Sequence, residues 1–127
     1  MTKLKFETEN STHGLTQSRG FAWFTSEGIS FEYQVLDTIL EVVKSDLKEV
    51  FVSFDQVEEI VYEKSWLSGD EVYIKLNSLK NVDDLPFLDE TDICLELDKK
   101  QRENGKNFVV NAQLELSNFR ITQLDKS

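Results

Sequence analysis

Between Ile29 and Val35 every second residue is apolar: Ile29, Phe31, Tyr33 and Val35 alternate with Ser30, Glu32 and Gln34. A strand points successive side chains to opposite faces, so this pattern demands a sheet with one dry and one wet side. The same rhythm recurs in Val50, Val52 and Phe54, in Val57 to Lys64 with Ile60 and Tyr62 on one face, in Val72, Ile74 and Leu76, and in Ile93, Leu95 and Leu97. Phe21 to Thr25 is a further apolar run, ended by the turn-forming cluster Thr25-Ser26-Glu27-Gly28. After Asp98, a plausible N-cap, the period changes: Val109, Ala112, Leu116 and Phe119 follow helical spacing. Gly105 is costly inside a helix, so the regular helix is expected to begin near it.

Antiparallel strands joined by short turns must bury their apolar face by curling or by being covered. The expected fold is therefore α+β and mostly β, a partly open barrel of about seven antiparallel strands capped by one C-terminal helix. Residues 1–19 are polar and aperiodic and read as an irregular arm, with a short strand near Leu4 to Phe6 left open; residues 20–127 form one domain. At 127 residues, 39% of them hydrophobic, the chain has enough apolar material for one core and too little length for two.

Two stretches resist the rhythm. Ile39 to Val43 reads as a β-branched strand, yet Leu36, Ile39, Leu40, Val43 and Leu47 fit a helix as well. Asn77 to Thr91 lacks strand character and holds the sole proline, Pro86, among acidic residues; a loop of that length is expected to be functional or mobile.

The charge narrows the function classes. Twenty-four Asp and Glu against 14 Lys and Arg leave a net charge of −10, which disfavours nucleic acid and anionic membrane surfaces as partners. The N-terminus lacks the apolar run of a signal peptide and no stretch is long and apolar enough to span a membrane, so a cytoplasmic location is expected. The single cysteine, Cys94, permits no internal disulfide; Asn10-Ser11-Thr12 matches a glycosylation acceptor, without weight in the absence of secretion.

Three segments carry a family likeness: Gly28-Ile29-Ser30-Phe31-Glu32-Tyr33-Gln34, Val52-Ser53-Phe54-Asp55-Gln56-Val57-Glu58-Glu59-Ile60, and Ser65-Trp66-Leu67. From Gly20 to Phe119 the chain resembles the bacterial pleckstrin-homology-like (PH-like) domains. The resemblance implies two orthogonal sheets in a partly open barrel, one end capped by a helix, serving as a docking scaffold and often found in oligomers. Eukaryotic relatives hold phosphoinositides with a basic loop between the first two strands. The corresponding segment here is expected at Thr25-Ser26-Glu27-Gly28, which has no Lys or Arg, so phosphoinositide binding is not expected.

No catalytic, cofactor or metal site is expected. His13 is the only histidine and lies in the polar arm; Cys94 sits between Ile93 and Leu95 and reads as a structural thiol. Asp83, Asp84, Asp89, Glu90 and Asp92 do not follow the spacing of a calcium-binding loop. The candidate partner-binding residues are Trp66 and Leu67 at a hairpin tip, and Lys99, Lys100 and Arg102, which with Lys106 make the one basic cluster. Trp66 could equally fold back on the core, and the basic residues could simply face solvent; Trp23, inside an apolar strand, reads as core. The expected function is a non-enzymatic binding or scaffolding module for a protein partner or for self-association. Two alternatives need an internal pocket: a lipocalin-like ligand barrel lined by Trp23, Phe31, Tyr33 and Tyr73, and an enzyme using paired carboxylates such as Glu32 with Glu59 or Asp37.

Overall fold

The fold is an α+β arrangement, mostly β, of two four-stranded antiparallel sheets that do not close into a barrel and are capped by one C-terminal helix. It comes from a computed structural model that describes residues 3–10, 15–40, 42–67 and 69–126. His13, and the Ser11-Thr12 part of the glycosylation match, lie outside the described residues.

The first sheet has the order β1 (Leu4–Glu9), β2 (Thr16–Phe24), β3 (Gly28–Asp37), β4 (Lys48–Ser53), each strand paired with the next in the chain. The alternation of Ile29, Phe31 and Tyr33 does what the pattern requires: all three side chains are buried. The turn at Thr25 to Gly28 is closed by the Thr25 N–H donating to the Gly28 carbonyl, 2.9 Å, and by the Glu27 N–H donating to Thr25 Oγ1, 3.1 Å. A single turn of 3₁₀ helix, Phe54–Gln56, then carries the chain into the second sheet, with order β5 (Val57–Glu63), β6 (Glu71–Leu76), β8 (Asp92–Glu96), β7 (Leu88–Asp89).

The irregular arm is a correction. Residues 4–9 form β1, and β2 begins at Thr16, four residues before the expected boundary. Leu4 and Phe6 face inward as alternation demands, but the next inward positions are polar, which hides the period. Those polar groups satisfy one another: Ser18 Oγ donates to Asn10 Oδ1 at 2.8 Å, and Asn10 Nδ2 donates to Thr16 Oγ1 at 3.1 Å. Thr8 Oγ1 donates to the Cys94 carbonyl at 3.3 Å, a side-chain link between β1 and β8 where a closed barrel would have a ladder.

Of the segment Ile39 to Val43, the described residues Ile39, Leu40, Val42 and Val43 belong to neither the strand nor the helix considered for it. Asp37 Oδ1 accepts from the Ile39 and Leu40 N–H groups at 3.0 and 2.9 Å, a local bond that competes with regular structure and turns the chain. Val43 retains one isolated bridge to Leu36.

The long segment between β6 and β8 also differs from expectation. Its charged residues Asp83, Asp84, Asp89 and Glu90 are exposed, but Val82, Leu85, Pro86, Phe87 and Leu88 are buried. The Phe87 ring lies 5.2, 5.8 and 5.1 Å from those of Phe6, Phe31 and Tyr33, so this loop plugs the space between the sheets. Successive backbone bonds, Val82 N–H to Leu79 O, Leu85 N–H to Val82 O and Leu88 N–H to Leu85 O, satisfy the chain on its way into the two-residue strand β7.

The helix α1 spans Arg102–Lys126 and covers β5. Val109, Ala112 and Leu116 are buried and Phe119 packs against Phe54, in the expected register. Gly105 does not delay its start. A side chain there would meet Leu97 Cδ1 at 2.5 Å and Tyr62 Cε2 at 3.0 Å, so glycine is what lets the first turn approach the sheet.

Candidate functional site

The β5–β6 hairpin projects its tip away from the domain: Trp66 is 91% exposed and Leu67 99%. Of the two readings open for Trp66, folding back on the core is ruled out. Trp23, read as a core residue, is a correction: it points to the outer face of the first sheet, half-buried beneath Lys3, whose ammonium lies 4.5 Å from the ring centroid. Alternation explains this, since Ala22 takes the inward position beside it.

What holds the tip is a buried carboxylate at its base. Asp70 is 1% exposed and takes a two-pronged bond from Arg102, Nε at 2.8 Å and Nη2 at 3.2 Å. The Ser65 N–H donates to Asp70 Oδ1 at 3.0 Å, and the Tyr62 hydroxyl donates to Oδ2. Arg102 holds the Asp70 carboxyl well below the usual carboxylate range, with Tyr62 and Ser65 adding to the effect against burial. Burial, followed by the bond to Asp70, pushes the Tyr62 phenol up to about 12. The returning limb is fixed as well: the Leu97 N–H donates to the Asp70 carbonyl at 2.8 Å. A Cβ on Gly69 would fall 1.9 Å from the Leu97 carbonyl oxygen, so no other residue lets the limb run this close.

The same contacts bring the candidate residues together. Asp98 Oδ1 accepts from the Lys100 N–H at 3.0 Å, capping the short 3₁₀ turn Lys99–Gln101 that leads into α1. Lys99 and Lys100 are exposed on that turn, whereas Arg102 is spent on Asp70 and is a structural brace. A groove of about 620 Å³ opens beside them, lined by Glu7, Glu9, Glu71, Glu96, Asp98 and Lys99 among others. Within it, burial raises the Glu96 carboxyl. Asp70 as the pin was missed from sequence; the signal available was an acidic residue immediately after the glycine of a hairpin, with an arginine at the start of a helix.

Cys94 Sγ donates to Glu71 Oε2 at 3.1 Å, as does the Tyr73 hydroxyl at 2.6 Å, and burial followed by Glu71 pushes the thiol far up, away from the reactive thiolate. The four aromatics of the ligand-barrel alternative do not converge. Phe31 and Tyr33 pack on Phe87, whereas Trp23 and Tyr73 are turned to the outer faces. Nor do the carboxylates: Glu59 pairs with Lys75 on the second sheet, and Glu32 and Asp37 stand five residues apart along β3, about 17 Å. Among the described residues no group of three or more His, Cys, Asp or Glu is placed to hold a metal ion, and no helix is long and apolar enough to cross a membrane.

The fold and this site define a helix-capped two-sheet domain presenting an apolar tip on a braced hairpin. Compared with family models, with curated proteins and with solved structures, the chain matches none.

Proposed function

We propose that this chain is a non-enzymatic docking module of PH-like architecture that binds a protein partner through the hairpin tip of Trp66 and Leu67. One observation carries the reading: two large apolar side chains stand almost fully in solvent on a loop whose base is locked by a buried Asp70–Arg102 pair. A loop whose base is pinned before binding has less freedom to lose when it docks, and tryptophan is among the residue types that most often carry interface energy. Lys99 and Lys100 are exposed after the strand that meets the hairpin's returning limb, and the acidic groove that Lys99 itself borders opens there. This end of the domain therefore carries both signs of charge, which suits a protein surface better than a uniformly anionic ligand.

The strand order supports the PH-like assignment. Four consecutive strands form one sheet, the remainder form a second, and a C-terminal helix lies on the first strand of that second sheet. With β1 present, the sequence between the first two strands is Asn10 to Leu15 rather than Thr25 to Gly28; it too contains no Lys or Arg, which argues against phosphoinositide binding.

Quantitative affinity capture from the source organism's own lysate tests the proposal. Proteins retained by the full chain and by Lys99→Ala, but lost from Trp66→Ala/Leu67→Ala, are the expected result. Identical capture by all three forms would remove the tip from the function.

A further inference from the structure

The helix α1 has a second apolar face. Opposite the residues that meet the sheet, Val110, Leu114, Ile121 and Leu124 are between 57% and 72% exposed. With Ser117 they recur at intervals of four, three, four and three residues. At 3.6 residues per turn this stripe lies roughly 160° from the buried one. A helix that only covers a sheet needs one stripe; a 4-3-4-3 repeat is the spacing of a coiled-coil seam.

We propose that this face pairs with the same face of a second copy of the chain, the two helices running parallel. Three observations favour a second copy. Parallel pairing in register sets each apolar residue against its equivalent and Ser117 against Ser117, while a slip of one heptad would oppose serine with valine or leucine; one polar layer fixes register in this way. The flanks carry no like charges against one another. By heptad position Lys106 falls opposite Asn111, Gln113 opposite Asn118 and Arg120 opposite Asp125 of the other helix. Because Gln113 and Arg120 are turned to β5, the flank sets no repulsion against pairing and adds no bond to it. The charge distribution also selects this surface. In α1, Arg102, Lys106, Arg120 and Lys126 outnumber Glu103, Glu115 and Asp125, so the helix is +1 in a chain of −10 and the remainder, at −11, repels its own kind.

The helix is set firmly enough to serve. Gln113 Nε2 donates to the Ile60 carbonyl at 2.7 Å, and Arg120 Nη2 donates to those of Val57 and Glu58 at 3.1 and 2.6 Å, anchoring one flank to β5. On the other flank a groove is bordered by Glu27, Phe51, Asn118 and Phe119. The seam is roughly 21 Å long and a helix about 10 Å across, a footprint on the order of 200 Å² per copy. That is about a quarter of the ~800 Å² per partner of a standard interface, which makes the dimer weak and reversible. This surface is separate from the Trp66 tip, and the two readings stand or fall independently.

Sedimentation equilibrium of the full chain from about 10 to 500 µM tests the pairing. The expected result is a reversible monomer–dimer equilibrium that Leu114→Glu/Ile121→Glu abolishes with an unchanged thermal melt, that Trp66→Ala/Leu67→Ala leaves alone, and that Ser117→Leu tightens at least tenfold. Wild-type chain monomeric throughout, or dimerisation unaffected by the double glutamate, overturns the proposal. For orientation, Val110→Cys in a Cys94→Ser background should cross-link to itself on mild oxidation; a dimer that persists without cross-linking overturns the parallel arrangement.

Discussion

The segments 64–69 and 77–91 both connect longer strands, and each is the opposite of what its composition suggests. The long one carries five carboxylates in or at the edge of it and looks like a solvated strap, yet Phe87 reaches the centre of the core. The short one carries Trp66 and Leu67, looks able to fold inward, and holds both in solvent. The difference lies in where each loop spends its apolar surface. In the long loop burial of side chains orders the backbone; in the short loop one buried carboxylate orders the backbone and leaves the side chains for something else.

The comparison breaks most readily at Phe87. Removing a buried ring that contacts three others leaves a cavity the surrounding sheets cannot close, so Phe87→Ala should cost about 3–5 kcal/mol, read as a fall in the urea midpoint at constant slope. A cost below about 1 kcal/mol, within the range of surface substitutions, would mean that the loop is not part of the core.

Asp70 is the corresponding test of the short loop. Asp70→Asn removes the ion pair and leaves one amide oxygen where Ser65 and Tyr62 each used a different carboxylate oxygen, so one of those two bonds is kept. Arg102, one-third exposed, can turn to water. The cost at pH 7 should therefore be about 2 kcal/mol, below that of breaking a fully buried pair. The pH profile is more specific. Because the folded chain holds the Asp70 carboxyl below its ordinary value, the unfolded chain takes up this proton first as the pH falls. The stabilisation is whole above about pH 4 and drains away progressively below it. Asp70→Asn should flatten that acid limb; an acid limb of undiminished slope would show that Asp70 does not carry it.

Most of the fold was legible because sheets with one wet face write their register directly into alternation, as in β3, and because the change of period after Asp98 marks the helix and its core side. What was not legible has particular physical causes. β1 is obscured by inward Thr8, Asn10 and Ser18, whose bonds to one another and to Cys94 no one-residue pattern can reveal. The Ile39 turn follows from one side chain, Asp37, outbidding both strand and helix. Of the site, the exposed tip could be named from Trp66 and Leu67, but the pin could not. Asp70 and Arg102 are 32 positions apart, and only the packing of α1 beside the hairpin makes them partners.

The smallest expected effect sharpens the comparison furthest. Trp66→Ala/Leu67→Ala deletes far more apolar surface than Phe87→Ala, and if side-chain size governed stability it would be the more damaging change. These atoms are already hydrated in the folded chain, so truncating them returns little surface to water and opens no cavity. The bonds that set the loop join Ser65, Tyr62, Arg102 and Leu97 to Asp70 and do not involve the two tip side chains. The urea midpoint should therefore shift by an amount equivalent to less than about 0.5 kcal/mol, the ordinary range for surface positions. A loss of 2 kcal/mol or more would mean that the tip packs on its own domain in solution, and the contrast between the two loops would fail with it.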